Sequence, residues 1–189
     1  MGDLSQKKDL LSARKNNKSL RYLEELMNSV RYVYEKSGDY FTSTKGRERS
    51  MVFRIAHHLA PRIEGEGVFV DIEATRCNDD VKRCQNSDSI RPDMIIHERN
   101  STGYIVAEFK CYHDGAAWIH DFSKLEYLTT PKDQRENSNS STPYYKLGLF
   151  IYLTDVEQDI QVRLYENGEN VTDRNPYQRI LRRFKNVQS

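Results

Sequence analysis

Residues 91–110, RPDMIIHERNSTGYIVAEFK, place two apolar runs around a polar break, and their reading decides the fold. MIIHE and YIVAEFK are rich in Ile, Val, Tyr and Phe, residues that suit a pleated surface, and RNSTG between them has the composition of a turn. The segment predicts a β-hairpin with strands over 93–98 and 104–111 and a turn at 99–103. Side chains two apart on a strand share a face, so Glu108 and Lys110 point one way while Ala107, Phe109 and Cys111 point the other. Antiparallel pairing sets the start of the first strand beside the end of the second, which brings Asp93 to Glu108 and Lys110.

Two acids and a lysine at one end of a sheet admit a plain reading, an ion-pair network that contributes little where it is exposed. They also admit a chemical one. Neighbouring carboxylates repel and burial raises their pKa, and a divalent cation reverses both effects. Mg²⁺ takes oxygen ligands and keeps several waters, so Asp93, Glu108 and the Phe109 carbonyl suit an open site in which Mn²⁺ can substitute. Such an ion polarises a phosphoryl oxygen and lowers the pKa of a bound water. Lys110 would then steady the charge developing on phosphorus or position the water. The outline is that of phosphodiester hydrolysis.

Outward from the hairpin, hydrophobic spacing predicts helix over 3–36, interrupted near NNKS at 16–19, and again over 47–61, ending at Pro61. The segment 37–46 reads as a linker. Residues 67–75 alternate as a strand, 76–89 read as a polar loop, and 117–130 form an amphipathic helix. Residues 131–143 are low in complexity and read as a mobile polar stretch. The run YKLGLFIYLT at 145–154 predicts a strand buried on both faces. A further strand at 159–168 and a basic closing helix at 175–186 (Arg179, Arg182, Arg183, Lys185) complete the chain. This order predicts an α/β or α+β fold with a mixed sheet and helices on both faces.

With these elements in place, RPDMIIHERNSTGYIVAEFK resembles the PD-(D/E)XK motif of the restriction-endonuclease-like nuclease superfamily. Pro92-Asp93 stands for PD, and Glu108-Phe109-Lys110 follows 14 residues on as the (D/E)XK. The element order over about 45–155 matches the superfamily's αβββαβ core. The resemblance implies a metal-dependent nuclease, most members acting on DNA rather than RNA, with Asp93, Glu108 and Lys110 at its centre. It further implies a Glu on the first core helix, for which Glu48 is the choice and Glu73 the substitute. A polar residue on the helix after the motif is also implied, here Lys124. The implied division is an N-terminal helical segment, 1–44, and a nuclease-like domain, 45–189. The same fold without activity, retained as a subunit that binds nucleic acid or scaffolds a complex, is the alternative.

Composition bounds these readings. With 189 residues, 37% of them hydrophobic and 30% charged, the chain suits one compact domain, and a net charge of +1 argues against a generally basic nucleic-acid binder. A local basic cluster remains at Lys7, Lys8, Arg14, Lys15, Lys18 and Arg21, and it could hold a phosphate backbone. No run approaches the roughly 18 apolar residues of a membrane span, and no apolar segment opens the chain, so a cytoplasmic protein is expected. Three cysteines fit a reducing compartment. Cys77, Cys84, Cys111 and His113 offer four zinc ligands at unusual spacings, and buried thiols are the preferred reading. Of His57 and His58, one is expected to pack and one to be exposed; His113 and His120 flank the motif. Phosphate loops of the Walker type and G-x-S-x-G elbows are absent, so NTP hydrolysis would have to come from a partner ATPase or defence-system subunit. The apolar faces of the N-terminal helices offer an interface for a homodimer.

Overall fold

The computed structural model describes residues 18–42, 48–64, 67–73, 76–77, 80–81, 90–99, 103–111, 115–135, 142–153 and 160–185. Among these, the helices are α1 (Lys18–Thr42), α2 (Glu48–Ile63), α3 (Gly115–Thr129) and α4 (Tyr177–Lys185). The strands are β1 (Val68–Ile72), β2 (Arg76–Cys77), β3 (Asp80–Val81), β4 (Met94–Glu98), β5 (Gly103–Lys110), β6 (Tyr145–Leu153), β7 (Ile160–Glu166) and β8 (Glu169–Asn170). A six-stranded sheet runs in the order β1-β4-β5-β6-β7-β8. Its β5–β6 pair is parallel and the other pairs are antiparallel, so the fold is mixed α/β. Along the chain, α2, β1, β4, β5, α3 and β6 follow the expected αβββαβ order.

Alternation sorts each strand between two cores. Ile105, Ala107 and Phe109 of β5 join Leu147, Leu149 and Ile151 of β6 against α1, α2 and α4. On the opposite face, Ile95, Val106 and Phe150 pack under Leu125 and Leu128 of α3. β6 is thus enclosed from both sides, which is why its sequence is a near-continuous apolar run. Gly148 lets α3 come close: a Cβ there would stand 3.0 Å from Thr129 Cγ2 and 3.4 Å from Leu125 Cβ.

Leu23, Leu26, Met27 and Val30 of α1 are fully buried in the larger core. Each such side chain contributes roughly 1.5–3 kcal/mol relative to exposure, so packing rather than helix propensity fixes α1. The apolar face once open to a dimer partner is therefore consumed within the chain over the described part of this helix. Residues 1–17 lie outside the described residues, and with them most of the basic cluster.

Several boundaries differ from expectation. Within the expected linker, α1 continues to Thr42 past a kink at Ser37 (φ −152°, ψ 15°); a Ser-Gly pair bends a helix without preventing its resumption. Pro61 does not end α2, because it falls in the last turn, where Arg62 Nη1 donates to His58 O at 3.2 Å. β1 stops at Ile72, and Glu73 takes a left-handed φ of 48°. Part of the expected loop at 76–89 forms the small β2–β3 ladder. β7 turns at Asn167-Gly168, both at positive φ (53° and 78°), and returns as β8. Asn and Gly are the residues that accept that backbone at least cost.

The described ends of the stretch 131–143 are also more ordered than composition suggests. A short 3₁₀ turn at Lys132–Gln134 leads into Arg135, which is 7% exposed. Its guanidinium donates to the carbonyls of Thr130 (2.8 Å), Leu128 (3.0 Å), Pro143 (3.1 Å) and Thr142 (3.4 Å), and lies 4.8 Å from the Tyr127 ring centre. One side chain thus ties the C-terminal end of α3 to the chain entering β6. Removing it leaves buried carbonyls without donors, so Arg135→Ala should lower unfolding free energy by about 2–4 kcal/mol in urea denaturation. Arg135→Lys, with one point charge in place of a fork, should recover only part of the loss.

Candidate active site

The sheet end where β4 begins and β5 ends collects the charged residues. The register Met94↔Ala107 and Ile95↔Val106 sets Asp93 opposite Glu108, one step beyond the last pair. Asp93 Oδ2 accepts a hydrogen bond from the Phe109 N–H at 2.8 Å, so its side chain takes over where the backbone ladder stops. Phe109 itself is fully buried in the larger core. Glu108 and Lys110 face the other way, towards α3, as the alternation requires.

Four carboxylates and two ammonium groups meet there. Lys110 Nζ lies 3.4 Å from Glu48 Oε1 and 3.2 Å from Asp121 Oδ2. Lys124 Nζ lies 2.7 Å from Glu108 Oε1 and 3.2 Å from Asp121 Oδ1. Glu48, the first residue of α2, reaches over the sheet end to this group, and Asp121 bridges the two lysines from α3. Glu108 is 1% exposed and Asp121 5%. These are not solvated surface pairs, so the plain reading of an exposed strand-end network is set aside.

Burial dominates the titration of the acids. It raises Asp93, against the opposing effects of the Phe109 N–H and of Lys110 and Lys124. It raises Glu108 well above the usual carboxylate range, with the Asp93 charge adding to it and Lys124 opposing. It carries Glu48 up to about 7, although Lys110 pulls the other way. Burial works against the charged lysines too, but Glu48, Asp121 and Asp93 raise Lys110, and Glu108 followed by Asp121 raises Lys124. The lysines therefore stay charged, and Glu48, Asp93 and Glu108 titrate above their ordinary range.

The donor set suits a hard divalent cation in charge and in chemistry. With all six groups ionised, two negative charges are left over, and the buried Glu48 Oε2 has no hydrogen-bond partner. Glu108 Oε1 and Asp121 Oδ2 are approached by ammonium groups outside hydrogen-bond geometry. As arranged, however, no three Asp, Glu, His or Cys side chains among the described residues form a group ready to hold a metal ion. Lys124 sits against one Glu108 oxygen, and the Phe109 N–H occupies one Asp93 oxygen.

The other expected residues sort clearly. Lys124 joins the cluster. Glu73 does not: it pairs with Arg49 (2.7 Å) and Arg91 (3.8 Å) at the surface. Asp121 is the residue the sequence reading missed. It stands on the buried stripe of α3 with Trp118, Leu125 and Leu128, and an acid at an apolar position of an amphipathic helix was the available signal. His120 is exposed on the far side of that helix. Cys84, His113 and the Cys77 side chain lie outside the described residues. Cys111 is buried with Sγ 3.4 Å from Met51 Sδ, and burial pushes its thiol up to about 12.

The raised acids fix the sign of a pH effect. Between the ordinary 4.5 of Glu48 and its folded value of about 7, the native state binds more protons than the unfolded chain, so stability falls as pH rises. Asp93 and Glu108 act in the same direction. Metal-free protein should thus lose thermal stability from pH 5 to 8, and 10 mM Mg²⁺, which favours the ionised acids, should raise Tm more at pH 8 than at pH 5.5. Differential scanning calorimetry in EDTA and in Mg²⁺ reads both.

No protein-family model matches the chain, and no curated protein matches it. Among solved structures, the chain is similar to a protein chain in a cryo-electron-microscopy structure of the DrdV–DNA complex, at 16% identity and a TM-score of 0.45. That match covers 86% of this chain and 14% of the other, so this chain spans about a seventh of the length of its structural neighbour.

Proposed function

We propose that this chain is a metal-dependent nuclease of the PD-(D/E)XK kind that hydrolyses phosphodiester bonds in DNA. The observation that carries the reading is the buried surplus of carboxylate around Lys110: Glu48, Asp93, Glu108 and Asp121 against two lysines. A fold has little to gain from burying such a surplus unless a further cation or a charged substrate completes it. DNA as the substrate rests on the resemblance of residues 91–110 to the superfamily motif.

In this reading Asp93 and Glu108, with the Phe109 carbonyl, would hold Mg²⁺ or Mn²⁺, and Glu48 would assist. The ion, when bound, supplies Lewis acidity at the phosphoryl oxygen and a more acidic bound water. Lys110 keeps its proton between Glu48 and Asp121 and presents a fixed positive charge to the developing phosphorane. Asp121 is a positioning residue, holding Lys110 and Lys124 apart across the sheet–helix boundary. Lys124 must release Glu108 for the carboxylate to turn to another cation.

That last requirement favours a second reading, in which Lys124 permanently replaces the ion and the chain is an inactive nuclease-fold subunit that binds nucleic acid. Incubating purified protein with plasmid DNA and with single-stranded RNA, in Mg²⁺, Mn²⁺ or EDTA, separates the two. The nuclease reading expects metal-dependent DNA cleavage that falls at least about a hundredfold in Asp93→Ala and Lys110→Ala. DNA binding without cleavage under any metal gives the second reading. Lys124→Ala adds a test of the Glu108 contact: isothermal titration should show tighter Mg²⁺ binding, by about tenfold, than in the unaltered chain.

A further inference from the structure

Helices α1 and α2 border a cavity of about 500 Å³ on their solvent side. On α2 it uses Phe53, Arg54, His57, His58 and Arg62, all exposed except the half-buried His58. It shares no lining residue with the carboxylate cluster at the start of α2. Tyr32 stacks on His58 with ring centres 4.1 Å apart, and Phe53 lies parallel to His57 at 6.3 Å, each pair within 11° of parallel. Phe53 is 58% exposed and Tyr32 48%, so large flat rings stand open to solvent in one place.

Cations frame those rings. Lys36, Arg54 and Arg62 line the cavity, and no acid is among its described lining residues. Arg54 Nη1 donates to Ser37 Oγ at 3.3 Å, at the kink of α1. Glu25 stands at the edge, 3.7 Å from Arg62, too far for a close charge-assisted bond. His58 accepts from or donates to Ser29 Oγ at 3.0 Å, which fixes its ring, and burial followed by the Arg62 charge favours its neutral form. Exposed rings with a cationic border match a ligand that has a flat heterocycle at one end and a phosphate at the other. An aliphatic peptide would bring no anion to this border, and a simple anion would leave the rings uncovered.

We infer that the α1–α2 cavity binds one nucleotide unit, its base against the Phe53–His57 and Tyr32–His58 rings and its phosphate against Arg54, Arg62 and Lys36. The unit comes from a single-stranded segment or from a free nucleotide, which share this chemistry. The site goes beyond the proposed hydrolysis and does not depend on it.

The test is fluorescence anisotropy of the full chain with a labelled single-stranded 12-mer in EDTA at low salt, with AMP as competitor. EDTA removes cleavage from the readout, so a chain that cuts nothing can still bind here and one that cuts can still fail. Binding should weaken about fivefold or more in Phe53→Ala and in Arg54→Ala, both exposed and free of core packing, while Lys146→Ala on the opposite end stays unchanged. Displacement by AMP at millimolar concentration assigns the cavity to a free nucleotide; binding of the 12-mer alone assigns it to a strand. Equal binding by Phe53→Ala and the unaltered chain would overturn the proposal. So would binding of neither probe, or self-association lost in Phe53→Ala without any nucleotide binding.

Discussion

Burying the Glu108 carboxylate at the sheet–helix boundary is the constraint to which the rest of the site answers. A carboxylate at 1% exposure must be neutralised or met by positive charge, because an isolated ion is very costly away from water. β5 cannot supply the partner alone, since Lys110 lies along the same strand and turns to Glu48 and Asp121. The answer comes from α3, whose Lys124 reaches Glu108 and whose Asp121 spaces the lysines. Position and orientation of α3 are therefore set by charge as well as by Leu125 and Leu128, and Gly148 provides the clearance.

Placement of the hairpin was legible because it depends on local rules. A strand period of two, a polar turn and antiparallel pairing suffice to bring Asp93, Glu108 and Lys110 to one end. The buried run of β6 and the element order were legible for the same reason. Glu48 and Lys124 required the motif resemblance, since an acid at a helix start and a lysine on an amphipathic helix have common structural uses.

What escaped the sequence depends on contacts far along the chain. Asp121 is charged yet sits on the buried stripe of α3, where Lys110 arriving from β5 joins Lys124 of its own helix to make that position tolerable. Arg135 looked like one residue of a polar tract; its value lies in the carbonyls it gathers from Leu128 and Thr130 and from Thr142 and Pro143. The α1–α2 cavity unites residues from about 30 to 62, none of which is unusual alone. The kink at Ser37 was read as a break because a Ser-Gly pair signals an interruption without saying whether the helix resumes.

The division of apolar packing by the sheet has a mechanical consequence. Among the described residues, one side is thick, with α1, α2 and α4 over a broad core, and the other is thin, with α3 alone. Lifting α3 exposes far less apolar surface than separating α1 and α2 from the sheet, so the thin side opens at lower cost. The lysines that meet Glu108 and Asp121 bear on that thin side. The charged groups can therefore exchange partners while the thick side stays packed, and Asp93 and Phe109 keep their places on the strands behind them.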